Sequence, residues 1–204
     1  MSFNNYLDQK QVFVFELDDV IYPEKDYLLQ VYYLFAQFIE YGEQIDASAI
    51  IERMRETYLE LGPDAVFDIT AAQFNIPEKY RINFDLLIYS ARLPLKLFIF
   101  NEMLNFMKEI ISAGKQIVLF TNGDLNTQLN KIKQIEWHGL DQHLKVYFAA
   151  ETAPKPSPEG LQLILDQQQL NKADVLLIGK SDADKECALN AGVDFLEADK
   201  LLPA

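Results

Sequence analysis

The chain has 204 residues, half of them hydrophobic, which suffices to bury a substantial core and is typical of a globular protein. Asp and Glu number 31 against 18 for Lys and Arg, so the net charge is −13. This balance disfavours the basic surfaces that bind phosphate backbones, and we expect no nucleic-acid partner. No apolar run approaches the roughly 20 residues that cross a bilayer, so we expect no membrane span.

The cysteine content and the first residues bear on the compartment. Cys187 is the only cysteine in the sequence, so it cannot form an intramolecular disulfide, which is typical of a reducing environment. The opening sequence MSFNNYLDQK lacks the basic-then-apolar order of a secretory signal. We therefore expect a cytoplasmic protein.

The first predicted element is a short strand over residues 11–15, QVFVF, which is β-branched and aromatic. It ends at the acidic sequence Glu16-Leu17-Asp18-Asp19, as expected for a buried central strand with carboxylates at its C-terminal tip. From Tyr27 onward, apolar residues recur every three or four positions, which predicts amphipathic helices. Breaks at Gly62-Pro63 and later prolines separate them, so residues 24–92 are predicted to form a helical insertion.

Strands and helices alternate along the remaining sequence. The predicted order is a helix ending at Gly114, a strand 116–120, a helix 126–135, a strand 146–149, a helix 161–168, a strand 175–178, a helix 182–190 and a short strand at Phe195. This alternation predicts an α/β fold in which about five parallel strands are covered on both faces. We expect a three-layer α/β/α, Rossmann-like core of residues 1–23 and 93–204, with residues 24–92 as an inserted helical cap.

Two polar clusters follow predicted strands. Alternation along the first strand places Glu16 and Asp18 on one side, close enough to share a cation, although a solvated acidic turn fits equally well. Thr121 and Asn122 precede a predicted helix, where a hydroxyl, an amide and exposed N–H groups suit an oxyanion. The alternative for this second cluster is an ordinary turn.

Two further clusters lie later in the chain. Lys155 is flanked by prolines that fix the backbone and direct a cation suited to phosphate; the alternative is a rigid linker with a solvent-facing lysine. The segment from Gly179 to Glu186 opens a predicted helix, with Ser181 or Asp182 as its ordinary N-cap.

The four clusters together resemble the four motifs of the haloacid dehalogenase superfamily in order, spacing and strand-tip context. The matching segments are Glu16-Leu17-Asp18-Asp19, Thr121-Asn122, Lys155 with its prolines, and Gly179-x-Ser181-x-x-Asp184. Tyr22-Pro23 and the helical insertion after it are similar to the capped phosphatases, which include pyrimidine 5′-nucleotidases and phosphoglycolate-phosphatase-like enzymes. The resemblance covers nearly the whole chain.

The resemblance implies a role for each matching residue. In the family, the first acid of the first motif attacks phosphorus, and the acid two residues later, here Asp18, protonates the leaving group and then activates water. Thr121, Asn122 and Lys155 would hold phosphate oxygens. Glu16, Asp18 and Asp184 would bind Mg²⁺. The implied ligand is a small phosphorylated molecule.

Two positions depart from the family pattern. Glu16 replaces the nucleophilic aspartate, and its extra methylene moves the reactive oxygen by ~1.5 Å. A displacement on the order of 1 Å can cost about 10²-fold in rate. Lys180 replaces a metal-binding aspartate, and an ammonium group repels Mg²⁺ instead of coordinating it. We therefore expect Mg²⁺ binding and phosphatase activity to be weakened or lost.

Lys180 has two interpretations. Its ammonium group would pair with Glu16, Asp18 and Asp184 and form a metal-free salt-bridge cluster, or it would lie exposed in the loop. Three functions stay open: a degenerate phosphatase, an active phosphohydrolase that uses Glu16 and Asp18, and a non-catalytic interaction protein.

Overall fold

The computed structural model of the chain describes residues 4–202. Its strands are β1 (Val12–Phe15), β2 (Leu97–Phe98), β3 (Gln116–Thr121), β4 (Ile135–Glu136), β5 (Leu144–Phe148), β6 (Val175–Gly179) and β7 (Asp194–Glu197). Five of them form one parallel sheet in the order β5-β3-β1-β6-β7, and β2 pairs with β4 separately. The larger sheet confirms the predicted α/β fold with its parallel sheet.

The helices after residue 100 alternate with the strands as predicted, whereas the first helix was not predicted. They are α1 (Asn4–Gln9), α2 (Glu24–Glu43), α3 (Ala47–Leu61), α4 (Val66–Phe74), α5 (Arg81–Ser90), α6 (Asn101–Ser112), α7 (Leu125–Gln134), α8 (Glu159–Gln168) and α9 (Asp182–Ala191). Helix α7 begins one residue earlier than predicted because the side chain of Asp124 accepts hydrogen bonds from the N–H groups of Asn126 and Thr127. Of the helices described, none is long and apolar enough to span a membrane.

The two faces of β1 explain the layered arrangement, since successive side chains of a strand point in opposite directions. Val12 and Val14 pack in one apolar cluster with residues of α8 and α9. Phe13 and Phe15 instead make edge contacts with Phe106 of α6, with ring centroids 5.6 and 6.3 Å apart. Helices therefore cover both faces of the sheet, as a run of buried apolar residues predicts.

The chain divides into two compact units. The first contains the described residues up to 23, then 98–129, and those from 135 onward; the second contains 24–97 and 130–134. The second unit is helical, and its interior includes the rings of Phe35, Phe67 and Phe84, whose centroids lie 5.2–5.8 Å apart. Gln134 accepts a hydrogen bond from the N–H of Leu93 within this unit.

Gly179 ends β6 directly against Asp184. A Cβ atom at this glycine would lie 2.5 Å from Cβ of Asp184 and 2.8 Å from its Oδ2. These separations are shorter than real Cβ contacts, so a side chain here would displace either the acid or the strand end. The absence of a side chain at Gly179 is thus what allows Asp184 to approach the sheet.

We predict that Gly179→Ala lowers the free energy of unfolding by about 1–3 kcal/mol, the usual cost of overpacking, measured by urea denaturation. Gly42→Ala in α2 is the matched control, because its added Cβ meets only the hydroxyl of the Tyr80 side chain, at 3.3 Å. The control should change stability by less than about 1 kcal/mol. Equal losses in the two variants would contradict the close approach of Asp184.

Candidate active site

The sheet brings three of the four sequence clusters to one edge. Glu16 directly follows β1, Thr121 is the last residue of β3, and Gly179 is the last residue of β6. Strand β1 pairs in parallel with both β3 and β6, so their carboxyl ends lie side by side. This edge is where open α/β sheets place their binding sites.

Lys155 enters this edge from the loop before α8 and lies between two carboxylates. Its side chain is fully buried, and its ammonium group forms ion pairs with Glu16 and, at 2.5 Å, with Oδ1 of Asp184. It also donates a hydrogen bond to the carbonyl oxygen of Phe120 at 3.2 Å. The proline-flanked loop therefore directs the lysine inward, which excludes the alternative of a solvent-facing linker.

The side chain of Asn122 positions the Lys155 loop. Its Oδ1 accepts from the N–H of Lys155 at 2.9 Å, and its Nδ2 donates to the carbonyl oxygen of Lys155 at 3.1 Å. Both polar atoms of the amide are thus engaged with the backbone of the loop. What Asn122 directs towards the acids is its main-chain N–H, 3.3 Å from Oε2 of Glu16.

Glu16 is 8% exposed, and its carboxylate accepts hydrogen bonds from several directions. Oε1 accepts from the N–H of Leu17 at 2.8 Å and from Oγ1 of Thr121 at 2.5 Å. Oε2 accepts from the N–H of Asn122 and from Lys155. Such bonds satisfy a carboxylate whose removal from water is otherwise costly.

Gln128 is a site residue that the sequence motifs did not identify. Its buried Nε2 donates to Oγ1 of Thr121 at 2.7 Å and to Oδ2 of Asp18 at 2.8 Å. The other oxygen of Asp18 accepts from the hydroxyl of Tyr22 at 2.7 Å. Glu16 and Asp18 are therefore connected through Thr121 and Gln128.

Asp184 combines a local and a long-range role. Its Oδ2 accepts from the N–H groups of Lys180 and Ser181 and from the hydroxyl of Ser181, while its Oδ1 faces Lys155. Ser181 accepts in turn from the N–H of Asp184, which completes a capping box at the start of α9. Ser181, one of the two predicted caps, thus also fixes the position of the acid.

The charges shift the ionisation of all three buried groups. Burial acts against the charged form of Lys155, but the carboxylates of Glu16 and Asp184 outweigh it and raise the lysine pKa. Burial likewise opposes the ionised form of Asp184, but Lys155 and Ser181 outweigh it and hold the pKa of Asp184 below its ordinary value. Burial raises the pKa of Glu16 despite the opposing charge of Lys155, and Asp184 adds to the rise. Burial thus outweighs the ammonium group at Glu16 but not at Asp184, where Ser181 supplies further hydrogen bonds.

The predicted salt-bridge cluster around Lys180 is wrong. The Lys180 side chain is 46% exposed, and its ammonium group lies 3.4 Å from Asp199. Lys155 occupies the position between the acids that was assigned to Lys180. Lys180 instead faces Asp199 at the surface, where its ammonium group stays hydrated.

The residues at this edge do not match the metal ligands that the resemblance implies. Glu16 and Asp184 face the ammonium group of Lys155, and both oxygens of Asp18 accept hydrogen bonds from neutral side chains. Within residues 4–202, no set of three or more His, Cys, Asp or Glu side chains is arranged to hold a metal ion. The donor set of Glu16, Asp18 and Asp184 therefore does not fit Mg²⁺, which requires oxygen ligands in octahedral geometry.

We predict a pH signature for Glu16. A raised pKa means that its contribution to stability is complete below the ordinary value of 4.5 and is lost as the pH rises through the folded-state value. Glu16→Gln cannot titrate, so its melting temperature relative to wild type should rise progressively with pH above 4.5. Scanning calorimetry over a pH series measures this difference. The exposed Glu159→Gln controls for the chemistry of the substitution and should follow wild type.

We predict the opposite pH dependence of stability for Asp184→Asn. The lowered pKa of Asp184 means that its stabilisation is present above 3.8 and is lost as the pH falls through the folded-state value. The melting temperature of Asp184→Asn, measured by scanning calorimetry, should lie below that of wild type at higher pH. This difference should shrink below pH 3.8. A deficit that stays constant through that range would contradict the ion pair with Lys155.

We predict that Gln128→Met lowers the free energy of unfolding by about 1–3 kcal/mol, since it removes a donor from the buried Thr121 hydroxyl and from Asp18. Gln167→Met on α8 is the matched control, because Gln167 is an exposed helical glutamine. Denaturant unfolding measures both variants. Indistinguishable stabilities would show that the two hydrogen bonds of Gln128 contribute nothing.

Comparisons with known proteins agree with this fold. The sequence model of the haloacid dehalogenase-like hydrolase family matches residues 13–198. No curated protein sequence matches the chain significantly.

Similar solved structures include a Thermotoga maritima protein provisionally assigned as a beta-phosphoglucomutase, with 14% identity, a TM-score of 0.68, and coverage of 94% of this chain and 96% of that one. A Streptococcus pneumoniae hydrolase has 15% identity, a TM-score of 0.58 and 92% coverage of both chains. A Deinococcus radiodurans HAD family hydrolase, solved with bound phosphate and sodium, has 16% identity, a TM-score of 0.59, and coverage of 93% and 80%. At these identities the likeness establishes the fold. The family match over most of the sequence establishes that the chain belongs to the haloacid dehalogenase-like hydrolases.

Proposed function

We propose that this family member has weakened or lost phosphatase activity while it retains the residues of the phosphate site. The observation that carries the proposal is the ion pairing of Lys155 with both Glu16 and Asp184. Two acids that the family would use for nucleophilic attack and for Mg²⁺ binding are thereby committed to an internal cation. Where the family has a metal-binding aspartate in the fourth motif, this chain has Lys180, whose exposed ammonium group supplies no carboxylate oxygen.

The hydrogen bonds at the two acids of the first motif support the same proposal. A nucleophilic carboxylate needs an ionised oxygen with a lone pair directed at phosphorus. Both oxygens of Glu16 are already engaged by hydrogen bonds from four donors within the chain. Both oxygens of Asp18, which the family would use as acid and base, are likewise engaged, by Tyr22 and Gln128. A phosphorylated ligand would therefore have to displace hydrogen bonds at both acids.

The alternative is an active phosphohydrolase in which Glu16 attacks phosphorus from its shifted position and Asp18 acts as acid and base. The observation in its favour is the fixed positive charge of Lys155 at the sheet edge, which would stabilise charge on a transferring phosphoryl group. The other alternative, an interaction protein without phosphate binding, predicts that Lys155→Ala changes neither ligand binding nor partner binding.

The ligand class in the proposal is a small phosphorylated molecule, because Thr121, Lys155 and the N–H of Asn122 are donors suited to phosphate oxygens. The similar Deinococcus radiodurans structure contains phosphate.

The helical unit is proposed to act as the cap. A cytoplasmic location and the lack of nucleic-acid and membrane partners belong to the same proposal, and they rest on the single cysteine, the net charge of −13 and the lack of a long apolar run in the sequence.

The test is hydrolysis of an aryl phosphate and of a panel of nucleotide and sugar phosphates, with Mg²⁺ and with EDTA. We expect wild type to be near background and Glu16→Asp combined with Lys180→Asp to gain at least about 10²-fold with Mg²⁺, because this variant restores the nucleophile position and one metal ligand. Lys180→Asp alone is the matched control, since it adds the ligand but leaves Glu16 paired with Lys155.

Activity of the wild-type protein would contradict the proposal. Wild-type turnover that survives EDTA and is abolished by Asp18→Asn would establish the active phosphohydrolase and overturn the proposal. Circular dichroism of each variant confirms that the compared proteins are folded.

A further inference from the structure

Four hydrogen-bond donors converge on the carboxylate of Glu16. Two are main-chain N–H groups, those of Leu17 and Asn122, and two are side chains, the hydroxyl of Thr121 and the ammonium group of Lys155. Main-chain donors at the end of a strand are fixed by the backbone. The group therefore forms a preorganised binding site for a negatively charged oxygen, and Glu16 fills it.

The direction of the Thr121 hydroxyl supports this description. Gln128 donates its Nε2 hydrogen to Oγ1 of Thr121 at 2.7 Å, so the hydroxyl proton is left for an acceptor. The short 2.5 Å contact with Oε1 of Glu16 supplies that acceptor. Gln128 thus sets the hydroxyl as a donor towards the carboxylate and keeps the site selective for an anion.

These donors suit a phosphoryl group as well as they suit a carboxylate. Both present ionised oxygens that accept charge-assisted hydrogen bonds, and ammonium and main-chain N–H groups bind either one. A phosphoryl oxygen and an oxygen of Glu16 cannot occupy the same donors together. Any anion that reaches Thr121 and Lys155 must first displace the glutamate.

We infer that Glu16 is an internal competitor that occupies the oxyanion site of this chain, and that its removal exposes a site for inorganic phosphate or a phosphate monoester. The inference rests on the proposed function, since it explains how the phosphate-site residues are retained yet blocked. Glu16 competes at an effective concentration set by its covalent attachment, which a free ligand must overcome.

Truncation of Glu16 leaves the donors in place. Lys155 keeps its 2.5 Å ion pair with Asp184 and its hydrogen bond to Phe120, and its backbone stays bound to the amide of Asn122. Glu16→Ala therefore opens a volume next to positioned donors. Glu16→Gln differs in a useful way, because it removes the negative charge but retains nearly all of the side-chain volume.

The experiment measures binding of inorganic phosphate to the full chain by phosphorus NMR titration and by the phosphate-induced shift in melting temperature. We expect Glu16→Ala to bind phosphate at least about tenfold more tightly than wild type. Glu16→Gln should gain less affinity than Glu16→Ala, because it gives up the negative charge but its side chain still fills the site. Glu16→Ala combined with Lys155→Met should lose the gain, since the ammonium donor is absent.

Three outcomes would overturn the inference: equal affinity in wild type and folded Glu16→Ala, a gain in Glu16→Gln equal to that in Glu16→Ala, or a gain that survives Lys155→Met. If Glu16→Ala does not fold without phosphate, Glu16→Ser takes its place in the same comparison. The titration is separate from turnover: EDTA-resistant hydrolysis by wild type that Asp18→Asn abolishes would reject the proposed function, whereas only the affinities decide the role of Glu16.

Discussion

The ammonium group of Lys155, buried between Glu16 and Asp184, is the interaction on which the rest of the site depends. Removing three charges from water is expensive, and such a cluster persists only when geometry and further hydrogen bonds compensate. One cation faces two carboxylates here, so neutral donors must support the excess negative charge. The capping box supplies them to Asp184, and Thr121 with two main-chain N–H groups supplies them to Glu16.

Asp18 shows a second way to satisfy an acid at the same sheet edge. It receives the phenol hydroxyl of Tyr22 and the amide of Gln128, both uncharged, and it is more exposed than Glu16. The first motif therefore has one buried acid that faces a charged donor and one half-buried acid that faces two neutral donors. Thr121 joins the two, because it donates to Glu16 and accepts from Gln128.

Much of this arrangement could be predicted from the sequence. The continuous apolar runs of β1, β3 and β6 indicate buried parallel strands, and strand tips indicate the site. Local patterns do not decide which lysine enters the acid cluster: Lys155 and Lys180 both follow from the motif order, and only tertiary packing separates them. Gln128 lies outside every motif. Its one signal is its place in α7 four residues after Asp124, the N-cap, which turns it back towards the end of β3.

The unequal environments of the two altered positions bear on how such a site can change over evolutionary time. Lys180 is half exposed and its ammonium group lies 3.4 Å from Asp199, so substitutions at this position should change the stability of the fold little. Glu16 is held by four hydrogen-bond donors. Shortening the Glu16 side chain leaves buried donors without an acceptor and therefore lowers the free energy of unfolding. A change at position 16 therefore disturbs buried hydrogen bonds, whereas a change at position 180 disturbs only one exposed ion pair.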